Sequence, residues 1–300
     1  MKKIIKNISL INTISNLILQ LTSMISAFII PKIILSYFGS EVNGLVSSLS
    51  QFLSYIALLE GGITGVVMAS LYKPLYNKDY RKINSIIMTT TKFYRKIGTG
   101  FIIYSIIIAL VYPIIFNTSF SYIYISSLTL ILSVGFFVQY NFSITLKTLL
   151  NADKKVYIVS FTQSLLIIIN IILSIICVKV DPNIHLLKIL TSLTYIIQPL
   201  IYCFFVNKYY KIQKNVDEDN EMLRNRWSGF AINIASFIHF NTDVTILTAF
   251  TNLKNVSIYS VYMLAVNGIY QLINSVALAL APSIGHIYVS RQSRKTKYNV

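Results

Sequence analysis

The 300-residue sequence is poor in charged residues, which make up 12% of the chain against 55% hydrophobic residues. It has only two cysteines and three histidines. Cys177 and Cys203 each lie inside an apolar run, so their spacing indicates neither a disulfide framework nor a metal site. The histidines are far apart in sequence, which argues against a histidine metal cluster. We therefore expect no metal centre and no cofactor other than a coupling ion.

Long apolar stretches dominate the rest of the chain. Eight of them are long enough to cross a bilayer, which takes about 20 apolar residues in a helix. They lie at about residues 10–35, 42–72, 97–116, 121–147, 155–179, 185–207, 227–250 and 256–286. This pattern predicts an all-α, polytopic transmembrane helix bundle. The intervening segments are too short for a folded soluble domain, so we expect the function to lie within the membrane.

The formal net charge of +16 is explained by topology. With the N-terminus in the cytoplasm, 22 of the 26 Lys and Arg residues lie on the inner side of the predicted spans. The four on the outer side are Lys32, Lys179, Lys188 and Lys254. An inner excess of this size predicts a cytoplasmic N-terminus. The bilayer therefore accounts for the basic residues, and we expect no nucleic-acid partner.

The hydrophilic segments suggest a division of the chain. Residues 208–226 contain the only cluster of acidic residues and are typical of a cytoplasmic linker. We predict a first lobe of about six helices over 1–207, the first two helices of a second lobe over 227–287, and a basic tail over 288–300. Apolar residues at helical spacing in 78–97 predict an amphipathic helix on the inner membrane surface, leading into the third span.

A carboxylate lies near the middle of the second apolar stretch. Glu60, followed directly by two glycines, is about halfway along the helix predicted over 42–72. An acidic residue at that depth costs about 2.5–3.5 kcal/mol on insertion scales and is read as functional by default. Asp243 lies in the seventh span, with His239 one turn before it. We predict that these three bind a coupling proton or sodium ion. The structural alternative for Glu60 is that it only takes part in a local hydrogen-bond network between helices. The alternative for His239 is that its hydrogen bonds are satisfied within a packed helix.

Polar side chains also recur at helical spacing on several spans. The stripes are Ser9, Asn12, Asn16, Gln20 and Ser23 on the first span; Ser47, Gln51 and Ser54 on the second; Asn233, Ser236, His239 and Asp243 on the seventh; Ser260, Asn267, Gln271 and Asn274 on the eighth; and, more weakly, Ser160, Gln163, Asn170 and Ser174 on the fifth. Amides cannot face lipid unsatisfied, so these faces meet each other or water. Hydrogen bonds between helices would explain one stripe, whereas four together favour a wet central cavity.

One block of sequence carries a family resemblance. Residues 38–75, FGSEVNGLVSSLSQFLSYIALLEGGITGVVMASLYKPL, resemble bacterial polysaccharide repeat-unit (O-antigen or capsule) flippases of the multidrug/oligosaccharidyl-lipid/polysaccharide (MATE-like) exporter superfamily. The supporting matches are the Pro31-Lys32 pair, NTDVTIL around Asp243, VSIYSVY at 256–262 and APSIG at 281–285. The resemblance extends over nearly the whole chain to about residue 287.

The resemblance implies a MATE-like fold of two six-helix lobes around a central cavity, worked by alternating access. It implies transport of an undecaprenyl-diphosphate-linked oligosaccharide to the outer leaflet of the bacterial cytoplasmic membrane, in company with polysaccharide polymerase machinery. The diphosphate needs a cation, for which Lys32 is the candidate, although a lysine snorkelling to the interface would look the same. The candidates for the glycan are the cavity amides Asn16, Gln20, Gln51, Asn267 and Gln271. The chain departs from the family in having eight predicted spans where twelve to fourteen are usual.

Other classes stay open. A drug or cation antiporter of the same superfamily would use membrane carboxylates without a cationic cavity. A membrane polysaccharide polymerase or glycosyltransferase would need a long outer loop or paired acid/base carboxylates, and the sequence has neither, so we do not expect an enzyme. A chain with one lobe and two further helices is also compatible with an inactive, truncated flippase.

Overall fold

The computed structural model describes residues 2–60, 62–116, 119–212, 217, 219, 230–270 and 273. It contains two compact units, Met1–Ser260 and Val261–Val300. In the second unit, residues 261–270 are helical. Throughout the described ranges the structure is helical, without strands, which confirms the predicted all-α class for this part of the chain.

The first unit contains a series of long helices. They are α1 (Lys2–Ser54), α2 (Ala57–Glu60), α3 (Ile63–Asn77), α4 (Tyr80–Ile115), α5 (Tyr122–Val138), a π-helical turn (Gln139–Ser143), α6 (Ile144–Ala152), α7 (Val156–Val180), α8 (Ile184–Tyr209), α9 (Phe230–Phe250) and α10 (residues 253–260). Local capping sets several of the starts. The Asp79 side chain accepts from the Lys82 amide at 3.0 Å before α4, and the Asn183 side chain accepts from the amides of His185 and Leu186 before α8.

Five helical regions of the described chain are long and apolar enough to cross a membrane: Leu10–Glu60, Tyr80–Ile115, Tyr122–Ala152, Val156–Val180 and Ile184–Tyr209. The first of them joins the first two predicted spans. The seventh predicted span forms α9, which is not among the five, and the eighth lies largely outside the described residues. The coarser prediction of a bundle of membrane-length helices is therefore confirmed, while the count of eight and the orientation stay predictions.

The first two predicted spans meet at Gly39. This residue has φ 83° and ψ 174°, whereas helical structure runs up to Phe38 and resumes at Ser40. Glycine suits the position because a positive φ costs it little. The break is thus a single residue within the 36–41 interval between the two predicted spans, and the helix continues through Pro31.

The predicted amphipathic helix over 78–97 is the first half of the continuous helix α4. Its apolar face does not lie on a membrane surface but packs inside the protein, with Ile83, Ile86 and Tyr94 1–2% exposed. The prediction of a helix from the spacing is correct, but the apolar face is covered by other helices of the protein and not by the membrane surface. Further along α4, Phe101 and Tyr112 are also buried, while Ile103 and Ile114 on the opposite side are exposed, as expected for a face turned to lipid.

Two main clusters of buried side chains hold the bundle together. One combines α3, α4, α6 and α8 around Tyr94, Phe101, Leu149 and Tyr202, all at most 1% exposed. The other combines the second half of α1 with α4 and α5, and includes Leu45. These clusters place α3 and α4 against each other, which positions the site described next.

Candidate functional site

The second predicted span is not one helix. Helix α2 ends at Glu60, and α3 begins at Ile63. Between them Gly62 adopts a left-handed conformation, with φ 80°, which glycine adopts without a side-chain penalty. The glycines that follow Glu60 in the sequence thus accompany an interruption near the middle of a membrane-length region. An interruption of this kind exposes backbone groups and makes a polar site possible within the membrane.

Hydroxyl groups surround the Glu60 carboxylate. Thr64, on the first turn of α3, donates a hydrogen bond to Glu60 Oε1, and the Tyr94 hydroxyl lies 3.2 Å from the same oxygen. The Thr64 and Tyr94 hydroxyls are themselves 2.8 Å apart. Two donors from different helices therefore meet at one carboxylate oxygen, and they can bond each other when the carboxylate does not need them.

A lysine and a second tyrosine lie within Coulombic range of Glu60. They are Lys147, on α6, and Tyr140, in the π-helical turn. The Tyr94 and Tyr140 rings have their centroids 6.2 Å apart. π-Helical turns are uncommon and often lie at functional sites. Here the turn sits directly before α6, the helix that carries Lys147.

The carboxylate opens into a pocket of about 400 Å³. Its lining residues are Ala57, Leu58, Glu60, Gly62, Thr64, Gly65, Ile234 and Phe237. Small residues on the α2–α3 side make room for the pocket, and α9 contributes an apolar wall. A carboxylate with hydroxyl neighbours in such a pocket can take up a proton or a monovalent cation.

The other predicted ion-binding residues do not line this pocket. His239 and Asp243 lie on α9 and are exposed. Asp243 accepts a hydrogen bond from the Tyr259 hydroxyl on α10. The three predicted ion-coupling residues are therefore not gathered into one site in this structure, and of the three Glu60 is the one that lines this pocket, where it is half-buried.

Gln51 contacts α9, but on a different face of α9 from the predicted polar stripe. Its Nε2 donates to Asn241 Oδ1 at 3.0 Å. The Tyr55 hydroxyl lies 2.6 Å from Thr245 Oγ1 on the same face. The predicted stripe of His239 and Asp243 points elsewhere. Sequence reasoning missed Asn241, Thr245 and Thr248, although their i, i+4, i+7 spacing was a visible signal.

This contact between α1 and the helices α9 and α10 continues with further polar pairs. Ser48 Oγ is 2.9 Å from Thr248 Oγ1 and accepts from the Tyr112 hydroxyl at 2.8 Å. Asn43 Nδ2 donates to Ser257 Oγ at 2.8 Å. These side chains are buried, and their polar atoms form hydrogen bonds with each other. None of these residues belongs to a predicted polar stripe, and hydrogen bonds between helices satisfy them without a water-filled cavity.

The remaining predicted cavity residues are dispersed. Lys32 and Asn16 are exposed, and Gln20 is half-buried. The Gln20 Oε1 atom is buried without a hydrogen-bond partner in the described part of the chain. Asn267 is exposed in the second unit, and Gln271 lies outside the described residues. The predicted substrate residues are thus not seen together.

Asn12, from the same stripe as Asn16, has a structural role. Its Nδ2 donates to the Lys154 carbonyl at 2.9 Å, and its Oδ1 accepts from the Tyr157 amide at 3.0 Å. It thereby binds the start of α1 to the turn before α7. Beside this turn, burial raises the pKa of Tyr210, and its hydrogen bond to Asp153 raises it further.

Among the residues that the structure describes, no group of three or more His, Cys, Asp or Glu side chains is arranged to hold a metal ion. No protein-family model matches the chain, and no curated protein gives a significant match to it.

Proposed function

We propose that the chain is a transporter of the bacterial cytoplasmic membrane that flips undecaprenyl-diphosphate-linked oligosaccharides by alternating access, with Glu60 as the site of its coupling ion. One observation carries the proposal: the Glu60 carboxylate lies at the break between α2 and α3 and opens into a pocket. Secondary transporters commonly form ion and substrate sites at interrupted membrane helices. The nature of the substrate rests on the resemblance of residues 38–75 to repeat-unit flippases.

The geometry suggests how ion binding would act on the bundle. When Glu60 is charged, the Thr64 and Tyr94 hydroxyls donate hydrogen bonds to its Oε1 atom. When a proton neutralises Glu60, these donors are less needed, and the two hydroxyls can bond each other across 2.8 Å. Proton uptake would thus loosen the link between the α2–α3 break and α4. That change is local, and it lies where the chain is already interrupted.

Movement of a second lobe against the first would involve α9. In this proposal the first lobe extends to residue 207, and 227–287 begin the second. The contacts Ser48–Thr248 and Gln51–Asn241 then join the two lobes. Hydroxyl and amide pairs are suited to a moving contact because each contributes little, about 0.6 kcal/mol on average between membrane helices.

An antiporter for lipophilic cations is the second candidate. It is favoured by the lining of the pocket, which combines the Glu60 carboxylate with the apolar side chains of Leu58 and Phe237 and, as far as the described residues go, includes no Lys or Arg. Such a lining suits a positively charged, partly apolar molecule better than a diphosphate. Lys32 is not in this pocket, so the diphosphate would need to bind elsewhere.

Complementation tests both candidates. The chain is expressed in a bacterium lacking its own repeat-unit flippase, and surface polysaccharide is probed with an antibody. We expect restored polymer with the chain and none with its Glu60→Gln variant. Unrestored polymer together with Glu60-dependent reduction of ethidium accumulation would support the antiporter instead. Failure of both assays, with the protein present in the membrane, would overturn both.

A further inference from the structure

A second pocket lies within the first lobe, between α1, α7 and α8. Its volume is about 270 Å³. Its lining residues are Leu19, Ser23, Gln163, Leu166, Ile167, Asn170, Thr194, Tyr195 and Gln198. On α7 they follow the spacing i, i+3, i+4, i+7, so one helical face forms that wall. Gln163 and Asn170, from the weaker polar stripe of the fifth predicted span, therefore line a cavity.

Hydrogen bonds within α8 and between α7 and α8 hold the polar side chains of this pocket in place. Thr194, 2% exposed, has its hydroxyl 3.0 Å from Asn170 Oδ1. Gln198, 8% exposed, donates from Nε2 to the Tyr202 hydroxyl at 3.0 Å. Within the described residues, these bonds leave the Asn170 amide group as a donor and the Gln198 carbonyl as an acceptor. Gln163 adds a third amide, which offers both kinds of group.

Among the residues that the structure describes, the lining contains hydrogen-bonding groups but no Asp, Glu, Lys or Arg. A charged ligand would lose its hydration here without gaining an opposite charge, which is costly in a low-dielectric interior. A neutral ligand with several donors and acceptors meets no such penalty. The space corresponds to about nine water molecules at about 30 Å³ each, which is enough for one ring-sized polar molecule.

An aromatic wall completes the pocket. The Tyr195 ring packs against Gly135 of α5, so closely that a Cβ atom there would lie 3.1 Å from Tyr195 Cδ2. The missing side chain of Gly135 therefore lets the Tyr195 ring approach α5 closely. Leu19 and Leu166 add further apolar surface. The pocket thus offers an apolar, partly aromatic surface beside amide and hydroxyl groups.

We propose that this pocket binds one neutral sugar residue, with Gln163, Asn170 and Gln198 bonding its hydroxyls and Tyr195 covering its apolar face. The site shares no lining residue with the Glu60 pocket, and its described lining residues are all uncharged. It rests on the proposed function for the source of the sugar, which is the glycan of the lipid-linked substrate. The diphosphate of that substrate is excluded from it.

Saturation-transfer difference NMR tests the inference on the full chain in nanodiscs prepared without glycoside detergents. The probes are free N-acetylglucosamine, which is neutral, and glucuronate, which is charged. We expect signal transfer to N-acetylglucosamine and at least tenfold less to glucuronate. Gln163→Leu, and independently Ser23→Val, should reduce transfer to N-acetylglucosamine at least tenfold with the melting temperature little changed. Asn207→Leu, an exposed amide near the end of α8, is the matched control and should bind as the parent does.

Three results would overturn the inference. The first is absence of transfer to N-acetylglucosamine, which would mean that the pocket holds water only. The second is equal transfer to both probes, and the third is transfer unaffected by both lining variants; each would place binding elsewhere. None of these results bears on flippase activity, because that is read separately from surface polymer. Restored polymer without sugar binding would leave the proposed function standing and remove this site.

Discussion

The Tyr94 hydroxyl lies 3.2 Å from the Glu60 carboxylate, joining two residues 34 positions apart in sequence. One lies at the end of α2 and the other in the middle of α4. The contact links an interruption in one membrane-length region to a continuous neighbour. From this contact we predict different effects for replacing the carboxylate and for replacing the hydroxyl.

Replacing Glu60 with Gln should abolish transport, because an amide has nearly the shape of the carboxylic acid but cannot release a proton or attract a cation. We expect at least a tenfold loss of surface polymer in complementation, with unchanged amounts of protein in the membrane. Glu41→Gln is the matched control. Glu41 accepts from Ser119 and lies 3.8 Å from Lys254, outside the pocket, and its variant should transport normally. Full activity of Glu60→Gln would exclude Glu60 as the coupling site.

Replacing Tyr94 with Phe should slow transport more than it destabilises the fold. The ring still fills its place in the buried cluster, but Glu60 and Thr64 lose a shared hydroxyl partner, which costs about 1–3 kcal/mol if the acceptor stays buried. Tyr104→Phe provides the comparison, because that hydroxyl, also on α4, donates to the Phe52 carbonyl at 2.7 Å and not to Glu60. We expect similar shifts in melting temperature and a several-fold loss of transport for Tyr94→Phe only. Equal transport in the two variants would contradict a role for this hydroxyl.

Replacing Gly44 with Ala should destabilise the contact between α1 and α10. A Cβ atom at Gly44 would lie 1.9 Å from the Leu253 carbonyl oxygen, a backbone atom that cannot rotate away. Overpacking of this kind typically costs about 1–3 kcal/mol. Thermal unfolding in detergent should show a lower melting temperature. At Gly100 a Cβ atom meets nothing within 4 Å, so Gly100→Ala should be neutral or stabilising by about 0.5–1 kcal/mol through helix propensity. The reverse order of melting temperatures would argue against this close approach.

Asn12 and Asn16 should respond differently although they lie one turn apart. Asn12→Leu removes two hydrogen bonds between α1 and the turn before α7, each with a net value of about 0.5–1.5 kcal/mol. We expect a lower melting temperature. Asn16 is exposed, so Asn16→Leu should leave stability unchanged and reduce polymer only if this side chain contacts the glycan. Equal destabilisation by both changes would mean that the whole stripe packs against other helices.

Sequence reasoning identified Glu60 because a carboxylate is costly inside an apolar stretch, and that cost is a local property. It did not predict that the helix would be interrupted there, although the glycine pair was in view, because glycine permits a break without requiring one. Nor did it find Thr64, Tyr94 and Lys147 as neighbours. These come from α3, α4 and α6, and only the packing of those helices brings them to one carboxylate.

The polar stripes show the same division. Periodicity placed amides on one side of several helices, and the lack of water in a bilayer required partners for them. It could not say which face of α9 meets α1, since α9 carries polar residues on more than one side. The structure pairs Gln51 with Asn241, leaving His239 and Asp243 exposed.

By itself the sequence determined the helical class, the membrane-length apolar regions and the presence of a costly carboxylate, because each follows from composition and spacing along the chain. Tertiary structure alone decided that Glu60 has hydroxyl partners and an open pocket, that Asn12 is a structural tie, and that three amides converge between α1, α7 and α8. Such features depend on how helices are rotated and packed against each other. That rotation is set by close contacts such as Gly44 against Leu253 and Gly135 against Tyr195, which a linear pattern does not contain.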